Sequence, residues 1–214
     1  MKQQTVKIID ELTLRYPQLE QCRTYIEETF EILKQCYKKE GKVLICGNGG
    51  STSDSEHIVG ELMKGFILER KICKEHVEKL KQAFPEEVEY LSENLQGALP
   101  AISLASHSAL AYAYINDVAP DMVFAQQVYG YARYGDVLIG LSTSGNSQNV
   151  INAIKVAKAF GVKTIGLTGK SGGKMVGLCD VVIKVPELET YKVQELHLPV
   201  YHALCAMVEM EFFG

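Results

Sequence analysis

The sequence predicts an α/β fold, a three-layer αβα sandwich in which a five-stranded parallel sheet carries helices on both faces and an amino-terminal helical arm precedes it. Two observations lead there. Short apolar runs at 43–46, 101–104, 137–141, 163–167 and 181–185 are each followed by a helical pattern. Strands that alternate with helices pair in parallel through crossovers and are buried on both faces. The second observation is composition: 214 residues, 47% apolar and 22% charged, suit one domain with a single substantial core. The same balance excludes a disordered chain, a collagen-like repeat or a disulfide-stapled miniprotein.

In chain order, a short helix is expected around 6–14, and Pro17 separates it from a longer one ending at Gly41. The longer helix shows in Tyr25, Ile26, Phe30, Ile32, Leu33 and Tyr37, which recur at helical spacing. Together they form an arm over 1–40. Further helices are expected at 53–65, at 108–133 with a break near Pro120, at 147–160, at 172–178 and at 190–213. One segment departs from the rhythm: residues 69–93 carry five Lys or Arg and seven Glu. Charge of that density marks a solvated helical insertion within 67–95, with Val77, Leu80 and Phe84 as one apolar edge and Pro85 as a split. No linker composition sets it apart, so 1–214 is one domain.

The net charge of −4 offers no positive field for a nucleic acid or an anionic bilayer. The longest uncharged stretch, 95–116, contains Pro100, His107 and Asn116 and is a poor membrane span. Cysteines at 22, 36, 46, 73, 179 and 205 form no Cys-x-x-Cys pair, and the first residues are too charged for a signal peptide. The expectation is a cytoplasmic protein with reduced, mostly buried thiols.

Two strand-to-helix turns concentrate chemistry. Gly47-Asn48-Gly49-Gly50-Ser51 follows the first strand, and Ser142-Thr143-Ser144-Gly145-Asn146-Ser147 follows the third. Free backbone N–H groups and the helix dipole converge on an anion at such turns, and four hydroxyls in the second add donors for a phosphate. Neither turn is a nucleotide fingerprint, because Thr52 stands where the dinucleotide pattern needs glycine and Thr164 where a Walker glycine would lead Gly169-Lys170-Ser171. The serine turn lacks basic residues, which fits a small phosphomonoester better than a polyphosphate.

His57 and Glu61, four apart on the helix after the glycine turn, share one face. On the last helix Gln194 and His202 lie about 80° apart around the axis. Together the four are a candidate N/O ligand set for zinc or a related divalent ion, although a His and a Glu on one helix are commonly plain surface or core residues. His76 falls in the charged insertion and is expected at the surface. His197, about 140° from His202, is expected to serve packing or a subunit contact.

At these residues the chain resembles the bacterial phosphoheptose isomerases of the sugar-isomerase (SIS) fold. The likeness is carried by CGNGGSTSDSEHIVGEL at 46–62, Asn116-Asp117, GDVLIGLSTSGNSQNVINAIKVAKAFGVKTIGLTGKSGGKM at 135–175 and VQELHLPVYH at 193–202. The resemblance implies an intramolecular oxidoreductase that interconverts aldose and ketose forms of a seven-carbon sugar phosphate, typically sedoheptulose 7-phosphate, through an enediol. It further implies a zinc-containing homotetramer with sites at subunit interfaces. By the same likeness the metal ligands are His57, Glu61, Gln194 and His202, and Glu61 and His202 are the proton-transfer pair. Sugar and phosphate contacts fall on Asn48, Ser51, Ser142, Thr143, Ser144, Ser147 and Gln194, with Gly49 and Gly50 giving close backbone approach.

Two departures from the family pattern bear on the sugar end of the site. His107 stands where the family usually has a substrate-contacting aspartate, and the 67–95 insertion is longer than the family's loop. An imidazole in place of an acceptor-only carboxylate changes which hydroxyl is favoured. Three readings therefore stand side by side: isomerase of a heptose phosphate, isomerase of another sugar phosphate, and a non-catalytic regulator or sugar-phosphate sensor on the same fold. Retention of His57, Glu61, Gln194 and His202 favours an enzyme.

Overall fold

The alternation of apolar runs and helices builds the expected sheet. A computed structural model describes residues 2–214 and contains five parallel strands, β1 (Val43–Gly47), β2 (Ala101–Ser103), β3 (Val137–Leu141), β4 (Lys163–Thr168) and β5 (Val181–Lys184), in the order β2-β1-β3-β4-β5. Because side chains alternate along a strand, each strand serves two cores. Val43, Ile45, Val137, Ile139, Leu141, Ile165, Leu167 and Ile183 face one side, and Leu44, Cys46, Leu138 and Val182 the other.

The first face is covered by α1 (Gln3–Arg15), α2 (Arg23–Lys38), α3 (Gly50–Met63) and α9 (Thr190–Phe213). The second is covered by α7 (Val123–Tyr131) and α8 (Gln148–Ala159), with the exposed α6 (Ser108–Asp117) ahead of them. The amino-terminal helices are thus part of a layer: Ile9, Leu12, Ile26, Phe30 and Leu33 are buried in the first core, and Pro17 opens a 3₁₀ stretch (Pro17–Cys22) between the helices. The helix expected at 172–178 is a 3₁₀ turn, Gly173–Gly177, entered through Gly172 at φ 72°. The helix expected from 53 begins at Gly50, since the Ser51 and Thr52 N–H groups already close turns onto the Asn48 and Gly49 carbonyls.

The charged insertion forms α4 (Lys74–Ala83) and α5 (Val88–Asn94), split at Pro85, and neither helix buries a residue. Its base is closed by the Lys71–Gln96 bridge and by the Gly97 N–H donating to the Arg70 carbonyl. The expected apolar edge is only half covered: Val77 and Leu80 are partly buried and Phe84 is exposed. Four of the six cysteines are buried and Cys73 is exposed. Burial pushes the Cys22 thiol up to about 11 and the Cys36 and Cys205 thiols up to about 12, so these are inert at neutral pH. No helix among the described residues is long and apolar enough to cross a membrane.

One buried ion pair ties the end of α3 to α9. Arg70 and Glu209 side chains are 0% and 1% exposed, and Arg70 Nε donates to Glu209 Oε1 at 2.7 Å. The carboxylate also accepts the Phe66, Ile67 and Leu68 N–H groups, while the guanidinium donates to the Leu62 and Glu61 carbonyls and lies over Phe213. Burial opposes the Glu209 charge, but these donors outweigh it and hold its carboxyl below the usual range. Removing one member of such a pair strands a buried charge at a cost of about 3–5 kcal/mol. Urea denaturation of Glu209→Leu is expected to show a loss of that size, and Arg70→Met/Glu209→Leu a loss smaller than the sum of the two single changes.

Candidate active site

The strand order sets the position of the site. From β1 the chain passes to β2 on one side, and it returns to β3 on the other, so a crevice opens beyond the carboxyl ends of β1 and β3, where open α/β sheets bind ligands. The glycine and serine turns both lie at this crevice. Asn48 and Asn149 join them by exchanging amide hydrogen bonds, each 2.9 Å.

The serine turn is internally braced. Ser142 Oγ and Ser147 Oγ are 2.9 Å apart, the Ser147 N–H donates to Ser142 Oγ, and Ser144 Oγ accepts the Asn146 N–H. Ser142 is buried, Thr143 and Ser147 are half-buried and Ser144 is exposed. Gly145, at φ 67°, packs so closely on the next loop that an added Cβ would run into the Gly172 carbonyl. The N–H groups of Thr143, Ser144, Gln148 and Asn149 have no partner among the described residues. Four free donors at the amino end of α8 make an anion cradle.

Beside it, α3 and α9 run in the same direction, in a register that sets Gly50 against Gln194, Asp54 against Tyr201, and His57 against His202. At Gly50 an added Cβ would stand 2.5 Å from Gln194 Nε2, so a larger residue there would push that amide aside. Further along α3, His57 Nε2 lies 3.1 Å from Glu61 Oε1 and 3.5 Å from His202 Nε2. Burial, then the neighbouring His57, pushes the His202 ring below its usual range against the pull of Glu61. Around a tetrahedral ion with bonds of about 2.0–2.1 Å, neighbouring donors stand about 3.3 Å apart. The two edges centred on His57 thus have the length and chemistry of an N/O cation site.

The cage is open. Glu61 and His202 both reach His57 and form no ion pair with each other, and among the described residues no three His, Cys, Asp or Glu side chains are set to hold a metal by themselves. Gln194 sits about 12 Å from His202 along the helix, at a rise of about 1.5 Å per residue. The structure therefore unites His57, Glu61 and His202 and leaves Gln194 at the glycine turn.

His107 lies ahead of α6, stacked against Tyr131 at 5.5 Å, with a buried Nε2 that has no partner. It touches neither the imidazole cluster nor the serine turn, while its neighbour Ser106 donates to Glu56 on α3. Asn116 donates to Asp117 at the exposed end of α6. His76 is exposed as expected, and His197 is a packing residue, fully buried below β4. Sequence reading passed over Asp54, Tyr201 and Asn149. Asp54 stands three residues before His57 on one helix, a spacing that could have marked it; Tyr201 and Asn149 carry no such signal.

The SIS domain family matches residues 9–96 and 90–169, which takes in both turns and the His57–Glu61 face. The phosphoheptose isomerase of a Nitratiruptor species is 39% identical over 193 residues, 90% of this chain and 89% of that protein. The chain belongs to the phosphoheptose isomerase family. The phosphoheptose isomerase of Clostridium acetobutylicum is 40% identical over 189 residues, 88% of this chain and 83% of its own. Among solved structures of the family, that of Neisseria gonorrhoeae superimposes with a TM-score of 0.71 at 30% identity, covering 97% of this chain and 94% of that one. The Neisseria protein therefore shares the fold of this chain along nearly its whole length.

His197 makes a pH-dependent contribution next to this site. Neither ring nitrogen completes a hydrogen bond, and burial drives the ring down to about 4, the Thr168 backbone offsetting only part of that. The ring is neutral in the fold, so the unfolded chain takes up the proton first as pH falls. Its contribution is complete above about 6.5, the ordinary histidine value, and is lost on the way down to about 4. Urea midpoints measured across that window are expected to fall, with His197 accounting for about 3 kcal/mol. In His197→Leu the fall is shallower.

Proposed function

We propose that this chain is a metal-dependent aldose–ketose isomerase that converts sedoheptulose 7-phosphate to a heptose 7-phosphate through an enediol. Membership of the phosphoheptose isomerase family makes it a sugar-phosphate isomerase; the observation that supports this substrate and mechanism is that α3 starts at the glycine turn, which Asn48 and Asn149 join to the anion cradle, and carries the His57–Glu61–His202 cluster about two turns further along. The phosphate binds the hydroxyls of Ser142, Thr143, Ser144 and Ser147 and the free N–H groups at the start of α8. Asn48 and Ser51 border it from the glycine turn, where Gly49 and Gly50 let the sugar backbone approach.

Interconversion moves one proton from C1 to C2 of the ketose and one from the C1 hydroxyl to the C2 oxygen. Glu61 takes the carbon-bound proton at a carboxylate oxygen and returns it to the neighbouring carbon, and His202 exchanges the oxygen-bound proton through the ring nitrogen that the cation leaves free. His57, Glu61 and His202, with Gln194 as the fourth donor, would hold zinc or a related divalent ion, which when bound would supply electrophilic stabilisation of the enediolate. Gln194 is a donor on the family likeness alone, since it stands about 12 Å from His202 along α9. The family likeness sets His107 at the sugar end, in the place of an aspartate. The homotetramer, with sites at subunit interfaces, and the cytoplasmic location belong to this reading too, supported by the family likeness.

The deciding experiment is NMR of sedoheptulose 7-phosphate and shorter sugar phosphates in D₂O with zinc-loaded protein. Deuterium entering at C1 or C2, and stopping on chelation, is the expected outcome. Glu61→Gln should lower the exchange rate by at least about 100-fold, the usual worth of a general base, with the sugar phosphate still bound. Binding without exchange for every sugar would mark a sensor.

A further inference from the structure

The hydrogen bonds around His57 can be assigned by counting protons. The Tyr201 hydroxyl, on a residue only 2% exposed, lies 3.0 Å from His57 Nδ1 and 3.2 Å from Asp54 Oδ1. A phenol has one proton and a carboxylate only accepts. With that proton on Asp54, the phenol oxygen faces His57 as an acceptor for an Nδ1–H. A ring that gives its Nε2 lone pair to a cation carries its hydrogen on Nδ1, and Nε2 is the atom facing Glu61 Oε1 and His202 Nε2. A proton or a cation must lie among acceptors gathered at 3.1 and 3.5 Å, and a cation there leaves the ring hydrogen to Nδ1 and the Tyr201 oxygen.

The rings are locked as well. His57, Tyr201 and His202 meet edge to face in all three pairings, at centroid distances of 5.6, 4.9 and 5.0 Å. One buried phenol therefore orients both imidazoles. We propose that Asp54 and Tyr201 are positioning residues that hold His57 as its Nδ1–H tautomer and so present its Nε2 lone pair to a divalent cation shared with Glu61 and His202. This rests on the metal-dependent reading above and adds to it the groups that prepare the ligand before any metal arrives.

The test uses the full chain and zinc ion alone. Nitrogen-15 NMR of the metal-free protein, at a pH where His57 is neutral, is expected to show the Nδ1–H tautomer in the parent chain and a shift toward Nε2–H in Tyr201→Phe. Competition with a chromophoric chelator is expected to show a zinc affinity about 10–100-fold lower in Tyr201→Phe. Asp54→Asn, which keeps the shape of the side chain, is expected to weaken zinc in the same direction. An Nε2–H tautomer in the parent chain, equal zinc affinity in parent and Tyr201→Phe, or no zinc binding by the parent overturns the proposal. Zinc binding with the expected losses but no isomerisation of any sugar phosphate would overturn the isomerase reading and leave these roles standing. Isomerisation with unchanged zinc affinity in both variants would do the reverse.

Discussion

The buried pair of Arg70 and Glu209 is the constraint on which the site geometry depends. Residues 64–70 leave α3 with a run of backbone donors, and α3 ends with unsatisfied carbonyls. Glu209 takes up three of the donors and Arg70 takes up the Glu61 and Leu62 carbonyls, so one ion pair caps α3 and pins it to α9. A pair this well hydrogen-bonded offsets its own desolvation, and its value lies in specifying one arrangement. It sets the register in which Asp54, His57 and Glu61 face Tyr201 and His202.

A second set of contacts fixes where that seam meets the sheet. Both α3 and α8 begin at the crevice between β1 and β3, and the Asn48–Asn149 amide pair holds their turns together. Gly50 lets the Gln194 amide pack against α3, and Gly145 lets the Gly172 loop close over the serine turn. The anion cradle and the imidazole cluster are thereby carried on rigid elements, as a site needing fixed distances requires. The charged insertion is tied at its base to the same Arg70 segment, while its two helices α4 and α5 bury nothing.

Much of this was legible in the sequence, for reasons that are local. Hydrophobic alternation with helical patterns gave all five strands and their parallel pairing, because a strand buried on both faces leaves a short apolar run. Glycine and hydroxyl residues marked both turns, because close approach and anion binding need those residue types wherever the turn sits. The four-residue step from His57 to Glu61 placed them on one helix face. Helix starts were less legible: α3 begins at Gly50, three residues early, because turn bonds from Ser51 and Thr52 extend it into the glycine run.

What tertiary structure alone decided is how distant side chains pair. An angle of about 80° around α9 put Gln194 and His202 near one face, but angle carries no axial distance, and the fold sets Gln194 at Gly50 and His202 at His57. Tyr201 on Asp54 and His57, and Glu209 on Arg70, join residues more than a hundred positions apart. Periodicity reports which face of an element is apolar and nothing about which partner that face meets. By itself, then, the sequence determined the sheet, the two turns and the residue types that bear the chemistry. Packing of α3 against α9 decided which of them touch, because register between two helices is set by side-chain fit at their contact and not by either helix alone.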